Sequence, residues 1–277
     1  MTRPAREPTG TREATPSRWA TRFAALPAPR LLALDVDGTL APIAERPERA
    51  RVPKRSVELL GRLTELPALH VALLTGRDPK ALRRLVPLRG LWRAVEHGRR
   101  WAAPGRRLPP LRPNREERSA LHAFATWAQR HALPEGAVLE RKPCSVGLHV
   151  RPLLSERPQT AERLLREARE RAEALGLRAR AGRALLEAEA GPAADKGRAL
   201  RTIVRESGAR GVLFAGDDTT DVPALRAARE LGGLALFVRS AERARPPEAS
   251  GVLDGPEAVA ELLEALLERL GPSHPAP

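Results

Sequence analysis

Cysteine occurs once in these 277 residues, at Cys144, so no disulfide can form within the chain and a reducing, cytoplasmic setting is the default. No His-Asn arrangement is suggested around it, which reads it as a buried structural thiol. Aromatic residues make up 3% of the chain, leaving few platforms for stacking single-stranded bases. No apolar run approaches the ~20 residues that a membrane span requires. Lysine is nearly absent: it stands only at positions 54, 80, 142 and 196, and arginine supplies the other 44 of the 48 basic residues. Those arginines are spread through nearly every segment. The formal net charge of +14 therefore reflects compositional bias rather than a built nucleic-acid patch, while still drawing in anionic substrates. The surviving lysines become informative. Lys54 and Lys80 fall on helical segments facing solvent; Lys142 and Lys196 fall in motifs.

Against these absences stands Leu31-Leu-Ala-Leu-Asp35-Val-Asp37-Gly38-Thr39-Leu40, an apolar run that delivers two aspartates into a Gly-Thr turn. A period-two strand points Asp35 and Asp37 to the same side, and Gly38 lets the backbone turn so that amides can face an anion. Carboxylates so close repel unless a cation lies between them, and Mg²⁺ suits such oxygens together with phosphate. Three further stations follow. Leu73-Leu-Thr75-Gly76-Arg77-Asp78 closes a second apolar run with a hydroxyl, and Asp195-Lys196-Gly197 opens a helical stretch with a lone lysine. A third apolar run ends in the acidic loop Gly216-Asp217-Asp218-Thr219-Thr220-Asp221. Each motif alone has a bland explanation as a turn, a strand-to-helix connection or a helix start. In this order they mark a phosphate-transfer site on a parallel sheet.

Together the four segments resemble the haloacid dehalogenase-like phosphohydrolases across residues 30 to 270. The resemblance implies an α/β fold: a Rossmann-like parallel-sheet core with an inserted α+β cap domain. The pattern agrees. A helix carrying Val57, Leu60, Leu63 and Leu66 lies between apolar strands at 31–34 and 69–74, forming a βαβ unit, and a third strand is expected at 91–95. Pro, Gly and Arg crowd residues 104–113, where a boundary falls. Helices at 116–131 and 160–174, with short strands at 137–142, 146–150 and 177–187, make up a small module able to act as a lid. The expected division is a core of 28–107 and 186–272, a cap of 108–185, and tails at 1–27 and 273–277. The first tail is disordered or weakly helical, with Trp19, Phe23 and Leu26 at helical spacing and no signal-peptide apolar region.

By this resemblance Asp35 is the nucleophile, giving an aspartyl-phosphate, and Asp37 is the general acid and then base. Thr75 and Lys196 stabilise the phosphoryl group. Mg²⁺ is held by Asp35, Asp217 and, through its backbone carbonyl, Asp37, with Asp218 and Asp221 orienting water and Lys196 behind them. Gly38, Gly76, Arg77 and His97 are the remaining residues expected around the phosphate and substrate.

The cap segment Glu140-Arg-Lys142-Pro-Cys-Ser-Val-Gly-Leu-His149-Val150-Arg151 is similar to that of the trehalose-6-phosphate phosphatases, as are Glu96-His97-Gly98 and Glu187 ahead of the lysine motif. The resemblance implies hydrolysis of trehalose 6-phosphate to trehalose and phosphate, the last step of trehalose biosynthesis, with Glu140, Lys142, His149, Arg151 and Glu187 meeting the sugar. Glu189 is an alternative to Glu187. Val150 stands where the family has an aromatic residue, and Val222 where it has glutamate. The expected protein is a monomer acting on a small sugar phosphate, without nucleic-acid or membrane partners. The alternatives are a phosphatase for sucrose, glucosylglycerol or mannosylglycerate phosphate and, further off, a non-enzymatic basic regulatory protein.

Overall fold

Continuous apolar runs without polar alternation are the pattern of strands covered on both faces. In the computed structural model, which describes residues 15–44, 49–182, 184–191, 195–239 and 244–271, they form the middle of a seven-stranded sheet. Its members are β1 (Arg30–Leu34), β2 (Leu69–Leu74), β3 (Trp92–Val95), β4 (Arg100–Ala102), β9 (Gly211–Gly216), β10 (Leu234–Val238) and β11 (Gly251–Leu253). The order is β11-β10-β9-β1-β2-β3-β4, and every pairing is parallel except β3 with β4.

Leu32 and Leu34 of β1 face the cluster formed with α1 (Pro16–Ala24), α2 (Lys54–Thr64), α3 (Pro79–Leu85) and α8 (Gly255–Leu270). Leu31 and Ala33 face α6 (Lys196–Ser207) and α7 (Val222–Glu230). The chain runs outward from β1 to β4 on one side and from β9 to β11 on the other. The carboxyl ends of β1 and β9 thus meet where the winding direction changes, the usual place for a site in such sheets.

A second compact unit, residues 110–193, carries an antiparallel sheet of β5 (Val138–Lys142), β6 (Ser145–His149), β7 (Arg178–Gly182) and β8 (Leu185–Glu189), in the order β5-β6-β8-β7. Val146, Leu148, Leu186 and Ala188 turn one face toward α4 (Arg115–His131) and α5 (Pro158–Ala174). The other face of the sheet is polar.

Three expectations change. Residues 15–27 belong to the larger unit rather than to a tail: the helix suggested by the spacing of Trp19, Phe23 and Leu26 forms, Thr15 caps it, Trp19 and Phe23 are buried, and α1 packs on α8. Residues 1–14 and the expected tail at 273–277 lie outside the described residues. The inserted unit ends at 193 rather than 185, because Leu185–Glu189 pairs with β6 and β7 and buries Leu186 and Ala188 among the helices of that unit. The third change concerns the sheet edges, where β4 and β11, each three residues long, extend the expected sheet.

Candidate active site

Strand ends and one helix start supply the polar residues of the larger unit. Asp35 follows β1, Thr75 follows β2, Asp217 follows β9, and Lys196 is the first residue of α6, whose N-terminus Asp195 caps by accepting from the amides of Gly197 and Arg198. Asp35, Thr75, Lys196, Asp217 and Asp221 are all buried. Lys196 Nζ donates to Asp35 Oδ1 and to Asp221 Oδ1, both at 2.6 Å. The second oxygen of Asp221 accepts from the backbone amides of Asp217 and Asp218 at 3.2 and 3.0 Å. Asp221 is thereby fixed on three sides and orients the lysine. Asp218 is only partly buried and takes the hydroxyls of Thr219 and Thr220.

Three acids face one lysine here, and their protonation reflects it. Burial lifts Asp35 well above the ordinary carboxylate range, opposed by Lys196. Burial, then Asp221 and Asp218, push Asp217 up to about 7. Burial works against the charge on Lys196, but Asp35 and Asp221 outweigh it and hold its pKa above the ordinary value. Oxygens of Asp35, Asp217 and Asp221 lie within 4.8 Å of one another. A cluster of hard oxygen donors carrying more negative charge than its lysine balances fits a small divalent cation. Because Asp221 is already committed to Lys196 and two amides, Asp35 and Asp217 are the side chains left to hold one.

Two glycines are required by what lies against them. At Gly38, with φ of +81°, a Cβ would sit 2.0 Å from an Asp217 carboxylate oxygen, so glycine lets the acidic loop close on the first motif. Thr39 is buried beneath, its hydroxyl 3.5 Å from Asp217 Oδ1. At Gly76 a Cβ would fall 2.3 Å from the imidazole of His97. His97 adopts φ of +57°, and its amide donates to the Thr75 carbonyl at 2.9 Å, which sets the ring beside the hydroxyl strand end. Glu96 is held by a two-pronged pair with Arg100.

Asp37 behaves differently from Asp35. Both of its oxygens accept from Arg77, Nε at 2.7 Å and Nη2 at 2.6 Å, a fork-on-carboxylate arrangement. Arg77 was expected at the phosphate; the structure sets its fork on the second acid. Within the second motif the Thr75 hydroxyl accepts from the Arg77 amide at 3.1 Å, and the Arg77 fork ties that motif to the first.

In the smaller unit the expected sugar-reading residues form a ladder on the polar face. Register sets Glu140, Gly147, Glu187 and Arg180 in one row, and Lys142, Ser145, Glu189 and Arg178 in the next. Lys142 Nζ lies 3.1 Å from Glu187 and 3.5 Å from Glu140, and His149 Nε2 is 3.2 Å from Glu140. Arg151 stands apart: β6 ends at His149, and Arg151, itself exposed, opens a 3₁₀ turn, Arg151–Leu153. Of the two glutamates, Glu187 is the one that meets Lys142. Sequence reasoning missed Ser145, Arg178 and Arg180. The available signal was the match of two alternating pairs, Arg178 with Arg180 and Glu187 with Glu189, on facing strands.

The fold and the strand-end acids define the class first. A haloacid dehalogenase-like hydrolase from Bacteroides thetaiotaomicron shares this fold at 14% identity and a TM-score of 0.64, over 85% of this chain and 98% of that one. The trehalose-phosphatase family model then matches residues 33–251, and the chain belongs to that family. The trehalose-phosphate phosphatase of Mycolicibacterium paratuberculosis is 31% identical over 249 residues, 85% of this chain and 61% of that protein. An uncharacterized glycosyl hydrolase of Mycobacterium tuberculosis is 34% identical over 245 residues, 84% of this chain and 18% of the relative. This chain thus spans under two thirds of these curated relatives. The Aspergillus fumigatus trehalose-6-phosphate phosphatase structure gives a TM-score of 0.72 at 25% identity, over 93% of this chain and 98% of that chain. No helix among the described residues is long and apolar enough to cross a membrane.

Proposed function

We propose that the chain hydrolyses trehalose 6-phosphate to trehalose and inorganic phosphate. The observation that carries the reaction is the buried set in which Lys196 bridges Asp35 and Asp221 at 2.6 Å beside Asp217. An oxygen of Asp35 attacks phosphorus, the bond from phosphorus to the sugar oxygen breaks, and Asp37 gives that oxygen its proton. Asp37 then takes a proton from water, whose oxygen attacks phosphorus and releases phosphate and free Asp35. Lys196 neutralises charge on nucleophile and phosphoryl group, and the Thr75 hydroxyl is available to a phosphoryl oxygen. To act as an acid Asp37 must leave the Arg77 fork, which is then available to the phosphate. Asp35 and Asp217 would hold Mg²⁺, which would supply charge neutralisation that Lys196 alone does not.

The sugar is assigned to the polar ladder of the smaller unit, where Glu140, Lys142, His149 and Glu187 present both donors and acceptors to hydroxyls. The trehalose-phosphate names of the relatives support this choice over other sugar phosphates. Phosphate release by the purified chain is measured on trehalose 6-phosphate and on sucrose, glucosylglycerol, mannosylglycerate and glucose phosphates, with and without a chelator. The expected result is the highest kcat/KM on trehalose 6-phosphate and its loss with chelator. A higher value on another sugar phosphate overturns the substrate; undiminished turnover in chelator overturns the metal.

A further inference from the structure

Two buried carboxylates stand side by side on the polar face of the smaller sheet, and one guanidinium spans them. Arg180 Nε donates to Glu189 Oε1 at 2.9 Å, while Nη2 of the same group contacts Glu187 Oε2. Glu187 and Glu189 are 4% and 5% exposed, so neither can rely on water to carry its charge. Glu189 has a second cation in Arg178 at 3.3 Å. Glu187 accepts from Ser145 Oγ at 2.7 Å and from Lys142 at 3.1 Å. Burial would raise the Glu187 carboxyl, but Ser145, Arg180 and Lys142 together hold it below its ordinary range. Lys142 is shared with Glu140, and its side chain is 45% exposed. It can remain shared and reachable because Arg180 neutralises Glu187 from the opposite strand.

We propose that Arg180 is a positioning residue for substrate selection: by holding Glu187 and Glu189 with one fork, it keeps Lys142 shared between Glu187 and Glu140 and within reach of the sugar. This rests on the reading that the Lys142 face selects the substrate. Without Arg180, two buried acids share Arg178 and Lys142, and Lys142 is drawn off Glu140, tighter onto Glu187 and away from any hydroxyl. A single ammonium at position 180 would restore the charge but reach one carboxylate at a time, so the effect separates a fork from a point charge.

The test uses the full chain with Mg²⁺, comparing trehalose 6-phosphate with p-nitrophenyl phosphate in Arg180→Gln, Arg180→Lys and Lys142→Ala. Arg180→Gln is expected to raise KM for trehalose 6-phosphate about 10-fold with kcat and aryl phosphate turnover within about 2-fold, the signature of lost binding rather than lost chemistry. Arg180→Lys is expected at about 3-fold on the same KM, and it decides the question if the glutamine variant does not fold. An unchanged KM in both variants, beside a clear loss in Lys142→Ala, overturns the role of Arg180 and leaves the sugar-reading face standing. Equal losses on both substrates reduce Arg180 to a structural contact and also overturn it. No selective loss in Lys142→Ala overturns the underlying reading itself.

Discussion

In the larger unit the polar groups sit at the ends of buried parallel strands and at one buried helix start, and in the smaller one they stand along the strands themselves. Lys196 is 2% exposed and meets two acids at 2.6 Å; Lys142 is 45% exposed and shares acids at 3.1 and 3.5 Å. A strand end in a close-packed sheet fixes one residue in one place, with no neighbour able to substitute for it. A cross-strand ladder spreads its charges over several partners, so the loss of one is partly absorbed by the next. The two clusters should therefore differ in how steeply activity falls when a member is removed.

The steepest fall is expected at Asp35. Asp35→Asn should abolish turnover with the melting temperature preserved or raised, because an amide is a poor nucleophile and relieves repulsion with Asp217 and Asp221. Near-normal turnover would end the comparison at its strongest point. Asp37→Asn should slow hydrolysis by at least ~10²-fold through lost proton transfer, with the slowing greatest for the poorest leaving groups. Lys196→Arg keeps the charge, yet the bulkier fork cannot occupy the buried position between Asp35 and Asp221, and most activity should go. Retention of half the rate would show that the core tolerates substitution as the ladder does.

Smaller and more selective losses are expected from the ladder. Lys142→Ala or His149→Ala should lower kcat/KM for trehalose 6-phosphate by roughly 10-fold to 100-fold while changing aryl phosphate turnover much less. An equal fall on both substrates would erase the distinction between the units.

The smallest effect concerns pH. Folding lifts Asp217 from the ordinary carboxylate range to about 7, so between those values the folded chain holds a proton that the unfolded chain releases. Stability without metal therefore falls as pH rises through that window. A divalent cation competes with the same proton, so Mg²⁺ should raise Tm by a few degrees near pH 8 and by less near pH 5. A larger rise at the acid end would contradict the crowding of acids around Asp217.

β2 is legible to the residue because its apolar stretch leaves no other reading for a strand buried on both faces. β4 and β11 are not, since three residues carry no period. The core acids announce themselves through spacing and through Gly38. The fork of Arg77 on Asp37 does not: the motif brings Arg77 to the site, but nothing in its spacing says that it pairs with the second acid. Arg180 was hidden because, in a chain where arginine is everywhere, an arginine outside a motif does not stand out until its partner is seen. The end of the inserted unit was misplaced because Glu187 and Glu189 looked like the approach to the lysine motif, while the deciding signal lay in Leu186 and Ala188 between them.

Trp19 occupies the space a side chain at Gly251 would need, so the first described helix and the last strand of the larger sheet complete each other. During synthesis β1 waits through more than half the chain for β9, and α1 waits still longer for β11 and α8. The inserted unit has no such delay, since all of its strands and helices come from one continuous stretch. The inserted unit can thus fold before α1 meets β11 and α8, the contacts that form last in the larger unit.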